Sequence, residues 1–271
     1  MKKFILISLL AFFALSLNTA FAQNDSIYVM KNGSIIWEYK IADIDSIVFY
    51  KPVIEEEETS GTFIDSRDDT EYSWVKIGEQ VWMAENLKYL PSVDSLSHGS
   101  EDSVGFYYYV YGYDGNDVEE AKATENYAAY GVLYNWIAAM AGAVSSDANP
   151  SGVQGICPDG WHLPSVAEWT QLTDYLGGWE IAGGKLKEAG YDHWQSPNAG
   201  ANNESGFTAL PGGNRDSGGG FHNIGKYGIW WSSTENDTGN AWSRDLFYGN
   251  VVVGKYYDAS ESGFSVRCVR D

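Results

Sequence analysis

The chain carries 17 Lys+Arg against 37 Asp+Glu over 271 residues, a formal charge of −20. So large an excess of carboxylates repels polyanions over the whole surface, which excludes nucleic acid as a partner and disfavours anionic membranes. With 44% hydrophobic and 20% charged residues, and 30 Gly, 11 Trp and 19 Tyr, it suits a compact, loop-rich fold with a core of rings, not a disordered chain or a helical bundle.

Lys2 and Lys3 precede an apolar run from Phe4 to Leu17, and Ala20 and Ala22 form an A-x-A cleavage signal before Gln23. Residues 1–22 therefore read as a secretory signal peptide, shorter than the ~20 apolar residues that span a bilayer. No Cys lies near the cleavage point and no later segment is apolar enough to cross a membrane, so the mature protein is expected to be exported and soluble. Residues 23–52 read as a small N-terminal β module. Ile27, Val29 and Met30 lead to Lys31-Asn32-Gly33, a hairpin signal because Asn and Gly tolerate positive φ, and the runs at 35–37 and 47–50 give further strands. Residues 53–60, with Glu at 55–58, have no apolar face and read as an acidic linker.

Residues 61–271 carry the pattern of one α+β domain. Thr62-Phe63-Ile64-Asp65, Tyr72 to Ile77 and Val81 to Leu87 read as successive strands, followed by a Tyr-rich run from Phe106 to Tyr113. One helix is expected over residues 126–141, with Val132, Leu133, Trp136, Ile137 and Met140 on one stripe. A second begins at Ser165-Val166-Ala167-Glu168, a capping box, buries Val166, Trp169, Leu172 and Leu176, and ends at Gly177-Gly178. Beyond 195, glycine clusters separate strand-like runs at 229–231, 246–248, 251–253 and 264–269.

The two cysteines, Cys157 and Cys268, are first read as a disulfide in an oxidising compartment, with a thiol enzyme as the sharper alternative. Other catalytic patterns are missing from the sequence. It has no Gly-x-Ser-x-Gly elbow, no Lys-Ser or Lys-Thr after Gly218-Gly219-Gly220, and no two of His98, His162, His193 and His222 at metal-ligand spacing.

Several strings, in order, resemble the Fibrobacter succinogenes major paralogous domain family across residues 61–271. They are Asp65-Ser66-Arg67-Asp68; Val75-Lys76-Ile77-Gly78 with Trp82-Met83-Ala84-Glu85-Asn86-Leu87; Tyr130 to Trp136; Cys157-Pro158-Asp159-Gly160-Trp161-His162-Leu163-Pro164-Ser165; Ala209 to Gly213; Trp230-Trp231-Ser232-Ser233-Thr234-Glu235; and Gly263 to Arg270. Where the family often has Gly after the first string this chain has Asp69, which also tolerates the left-handed region. A more distant similarity runs to the sulfatase-modifying, formylglycine-generating proteins. Together these resemblances imply a C-type-lectin-like fold, with two helices on small antiparallel sheets and long loops forming a binding face. They do not carry catalysis over, because formylglycine chemistry depends on a pair of reactive cysteines that these placements do not suit. The segment around Asp43 to Phe49 resembles a short β module of secreted proteins of Gram-negative gut anaerobes, which places the protein in the periplasm, at the cell surface or outside the cell.

The expected function is non-catalytic binding of an extracellular glycan or protein, with an enzyme on the sulfatase-modifying-like scaffold or a structural envelope component as alternatives. The candidate binding residues are Asn214, Arg215 and Asp216 in a Gly-rich loop, which supply a bidentate donor and acceptors, with Trp231, Glu235, Trp242 and Arg244 from the neighbouring segments. The competing reading is that these residues are scaffold, since Trp230 and Trp231 cannot both face solvent on one strand. No cofactor is expected beyond calcium, for which Asp114-Gly115-Asn116-Asp117 and Asn236-Asp237-Thr238-Gly239-Asn240 offer oxygen ligands on turns without EF-hand spacing. Asp, Asn and Gly are equally what turns need.

Overall fold

A computed structural model describes residues 26–43, 58–95 and 105–270. The signal peptide, the strand-like run at 47–50 and most of the acidic linker lie outside the described residues. The chain divides into two units, residues 1–56 and 57–271. The first unit contains the antiparallel hairpin of β1 (Ser26–Lys31) and β2 (Ser34–Lys40), turned by Asn32 and Gly33 at φ 53° and 81°, the geometry that the Asn-Gly pair predicts.

The second unit is α+β, with short helices and several small antiparallel sheets. It begins with β3 (Ser60–Asp65), β4 (Thr70–Ile77) and β5 (Gln80–Met83), three strands where three were expected, although β5 stops at Met83 and not at Leu87. Asp69, at φ 59°, makes the left-handed turn between β3 and β4. β6 (Tyr108–Tyr109) follows, then α1 (Val118–Lys122) and α2 (Glu125–Tyr130).

The helix expected over 126–141 is broken in two. α2 stops at Gly131, whose φ is 75° and where a Cβ would lie 2.7 Å from the Leu87 carbonyl. Leu133 and Tyr134 form β7, paired with β6. Asn135 then caps a new helix, α3 (Trp136–Met140), by accepting from the Ala138 amide. A Gly that ends a helix and an Asn that starts one outweigh the apolar stripe, because the stripe is satisfied as well by burial on a short strand.

α4 (Val166–Tyr175) begins at the expected capping box of Ser165 and Glu168 and is followed by Gly177 and Gly178 at φ 102° and 107°. A further helix, α5 (Trp179–Leu186), lacked a clear sequence signal because Gly183 and Gly184 sit inside it. A Cβ on Gly183 would lie 2.7 Å from the Val251 carbonyl, so the glycines are what let α5 approach the chain there. The small hairpin β8 (Asn214–Arg215) and β9 (Phe221–His222) precedes β10 (Tyr227–Asp237), β11 (Asn240–Phe247), β12 (Val253–Ala259) and β13 (Val269–Arg270).

Two sheets organise the unit: β13-β5-β4-β3, which joins the last strand to the first three, and β10-β11-β12. Successive residues of β10 serve two cores. Trp231 packs with Phe264, Tyr134 and Trp161 in one, and Trp230 with Trp82, Trp169, Trp194 and Phe207 in the other. Trp82 and Trp169 lie 4.8 Å apart by ring centroids, Trp169 and Phe207 5.9 Å. Cys157 and Cys268 are joined in a disulfide that ties the segment before α4 to the end of the chain.

Candidate functional site

The motif residues with the most reactive chemistry are bound into the scaffold. Arg267 is completely buried beneath Phe207, with its guanidinium carbon 4.1 Å from the ring centroid. It donates to the Phe207 and Thr208 carbonyls and to Asn86 Oδ1. With no carboxylate hydrogen-bonded to it, burial pulls its pKa down to about 9. Asn86 Oδ1 also accepts from Trp230 Nε1 at 2.8 Å, while Asn86 Nδ2 donates to the Tyr130 carbonyl and Ser265 Oγ. One amide thus links four of the family-like strings.

The carboxylate of Glu168 is likewise occupied. It accepts from the amides of Ser165 and Ser151 and pairs with His162 Nε2 at 2.5 Å. Asp65 holds Arg67 through both oxygens, and Arg67 also donates to the Ile156 carbonyl and lies 3.9 Å over the Tyr89 ring. Neither cysteine is a free thiol.

The seven candidate binding residues fall into two groups. Asn214, Arg215 and Asp216 belong to the β8–β9 hairpin, and Trp231, Glu235, Trp242 and Arg244 to β10 and β11. Three of the seven are core. Arg215 is fully buried, stacked 4.1 Å over Tyr109, with its backbone paired to Gly263. Trp231 is fully buried and donates to the Tyr134 carbonyl. Arg244 is buried against α4, donating to the Val166 carbonyl, and burial lowers its pKa to about 10. Asp216 accepts from the Gly220 amide, the main cause of its lowered pKa, and pairs with His222 at 2.8 Å, so it holds its own loop. Asn214 accepts from Asn223. Glu235 is exposed, and its amide donates to Ser145 Oγ.

Trp242 is half-buried beside the outer strand of its sheet. β12 is the free edge of its sheet, and its residues alternate between two faces. On one face Lys255 Nζ lies 4.4 Å over the Trp242 ring, and Tyr257, opposite Trp242 in register, meets it edge-on at 5.6 Å. On the other face stand Tyr256 and Asp258, alongside Asp245 of β11 and Tyr227 of β10. Tyr256 and Tyr257 are 60% and 57% exposed. Ser243 Oγ donates to Asp258 Oδ2 at 2.8 Å. Asp245 lies opposite Gly254, where a Cβ would fall 1.7 Å from Asp245 Oδ1, so the glycine is what admits the carboxyl. That oxygen is buried without a hydrogen-bond partner. Burial, and then the charge of Asp258, raise the Asp245 pKa to about 6, and burial raises that of Asp258.

The sequence reading missed this surface because it placed a strand at 251–253, whereas β12 starts at Val253 and runs to Ala259. The alternation of Gly254, Tyr256 and Asp258 against Lys255 and Tyr257 was the available signal. The turn oxygens considered for calcium have local roles. Asp117 caps α1, and Asp237 accepts from Asn240 and Asn236. Among the described residues no group of three or more His, Cys, Asp or Glu is placed to hold a metal ion, and no helix is long and apolar enough to cross a membrane.

No curated protein and no solved structure matches the chain. The model of the Fibrobacter succinogenes major domain matches residues 75–270, from β4 to the last strand and including every element of the surface just described, and the chain therefore belongs to that family.

Proposed function

We propose that this protein is an exported, non-catalytic binding module that holds an extracellular glycan on the edge strand β12 and the adjoining faces of β11. One observation carries the reading. Two neighbouring tyrosines, each more than half exposed, stand on a free edge strand beside Trp242, Lys255, Asp245 and Asp258. Rings stack on the apolar faces of sugars, while carboxylates and an ammonium group meet hydroxyls. The large apolar side chains exposed on this strand are tyrosines, not aliphatic residues, which favours a glycan over a protein partner.

A C-type-lectin-like fold supports the same reading. Its supports are α4 and α5 beside small antiparallel sheets, the last strand paired next to β5, and a disulfide linking the pre-helix segment to the chain end. Export rests on the pattern of residues 1–22.

The test is a glycan array probed with the mature protein, in calcium and in chelator, followed by Tyr257→Ala and Trp242→Ala. Each substitution is expected to weaken binding at least about 10-fold, the loss of ~1.4 kcal/mol that one ring-to-sugar contact supplies, while the fold is kept. Signal lost in chelator assigns calcium to the site. An array without a ligand, or unchanged binding in both variants, overturns the reading, and turnover of the glycan favours an enzyme instead.

A further inference from the structure

The adjacent strands β11 and β12 carry a pair of half-buried carboxylates, Asp245 and Asp258, whose pKa values burial raises. Asp245 and Asp258 share one face of the β11–β12 ladder. Of the cations nearest in sequence, Arg244 points to α4 from the other face of β11, and its charge offsets the burial of Asp245 only in part; Lys255 covers Trp242 from the other face of β12. The groups that face the pair are Tyr227 of β10, Ser243 of β11 and Tyr256 of β12, with Tyr248 beyond Tyr227, none of them a cation. Ser243 supplies one hydrogen bond to Asp258, and Asp245 Oδ1 has none.

β12 itself is secured at its two ends. Near its start the Gly183 amide of α5 donates to the Val251 carbonyl, and Lys187 Nζ donates to the Asn250 carbonyl at 2.8 Å. Beyond its far end the Ser260 amide donates to Gly239 O and the Ser260 carbonyl accepts from Trp136. Between these anchors the strand pairs on one side only, with β11. A repulsion between β11 and β12 therefore acts on a span pinned at both ends and unsupported along its outer edge.

We infer that the Asp245–Asp258 pair makes this edge a proton-operated element of the binding surface. With a proton on the pair, β12 is closed against β11 and Tyr256 lies over Gly254; without it, the two charges open the middle of the strand and shift both tyrosines. This rests on the proposed binding role for its purpose, but not for its mechanism. The sign follows from the direction of the shift. Asp245 is held above the ordinary carboxylate value in the closed strand, at about 6, and returns to ~3.9 when the strand opens. Closure is thus fully supported at acid pH and loses support as pH rises through about 4 to 6.

The experiment is hydrogen exchange on the mature full chain at pH 4.5 and 7.5, corrected for intrinsic rates, with β4 as the internal reference. The protection of residues 253–259 is expected to fall by about 20-fold more than that of β4 on going to pH 7.5, as a two-unit difference in pKa between closed and open strand requires. In Asp245→Asn the extra loss is expected to disappear. Asp258→Asn, which leaves Asp245 in place but removes its neighbour's charge, is expected to reduce it and serves if the first variant does not fold. An equal fall in β4 and β12, or an undiminished fall in whichever variants fold, overturns the inference. The readout needs no ligand, so an empty glycan array and a failed switch are separate results.

Discussion

Breaking the Cys157–Cys268 bridge tests how the second unit is held closed. The two residues are 111 apart in sequence. A cross-link of that span removes chain entropy from the unfolded state worth about 4.8 kcal/mol at 25 °C in the loop-closure treatment. For a domain of this size that corresponds to a melting temperature lower by about 10–20 °C. Both cysteines are fully buried, so Cys157→Ala with Cys268→Ala adds the cost of two small cavities. Reduction of the unaltered chain separates the two effects. Urea unfolding followed by tryptophan fluorescence, on the oxidised chain, the reduced chain and the double variant, measures all three states. The contacts around the bridge survive its loss: His162 and Val269 exchange both backbone hydrogen bonds, and the Met83 amide donates to the Cys268 carbonyl. The reduced chain is therefore expected to fold, less stably but with its spectra unchanged. A loss below about 2 kcal/mol in both the reduced chain and the double variant refutes the entropic account and shows that the two segments remain close in the unfolded ensemble.

Three further outcomes follow from the same contacts. Asn86→Ala removes the side-chain acceptor that Arg267 has beside the Phe207 and Thr208 carbonyls, and the partner of Trp230 Nε1, and is expected to cost about 3 kcal/mol in denaturant unfolding; a cost under ~1 kcal/mol would mean that water replaces the amide. Gly183→Ala places a methyl 2.7 Å from the Val251 carbonyl and is expected to destabilise by about 1–3 kcal/mol, read as a lower melting temperature and faster exchange of the amide at position 183. Removal of residues 23–57 is expected to leave one cooperative transition, because the second unit starts at residue 57 and the Thr59 carbonyl already accepts from the Lys76 amide; loss of cooperativity would place the first unit's strands in the second unit's core.

What was legible in the sequence, and what was not, divides by the range of the interaction. The capping box at Ser165 and Glu168, the Asn32-Gly33 turn and the left-handed Asp69 are local decisions, and the structure realises all three. The helix over 126–141 failed because Gly131 and Asn135 are local signals too, and they were outvoted by a stripe that two different structures satisfy. α5 failed for the opposite reason. Its glycines are unfavourable locally and are explained only by the carbonyls of Val251 and Gly200 that come within reach of them. The burial of Arg215 and Arg244 fits the scaffold reading weighed against the binding site, but the partners that bury them were out of reach. Each is an Arg beside turn or strand residues, and only the fold reveals that Tyr109 or α4 lies over it.

The placement of these charges is itself an argument about where function sits. Arg267 and Lys187 are buried with carbonyl and amide oxygens rather than carboxylates as hydrogen-bond acceptors. A cation held by neutral acceptors fixes the loops that supply them: residues 207–208 for Arg267, and 199, 247 and 250 for Lys187. Those loops frame β11 and the start of β12. The energetic cost of desolvating both cations is spread through the scaffold, where many acceptors share it. Asp245 differs, for its burial is local, its Oδ1 has no partner, and the nearest like charge stands on the adjacent strand. Arg267 Nε is also left without a partner, but the rest of that guanidinium has three acceptors, and Asp245 could be given a donor in the same way, for instance by an Asn in place of Tyr227. Tyr227→Asn, which offers Asp245 a donor across the strand pair, is accordingly expected to draw its pKa down from about 6. Carboxylate titration by NMR reads this directly, and a value unmoved by the new donor would mean that Tyr227 does not stand over Asp245.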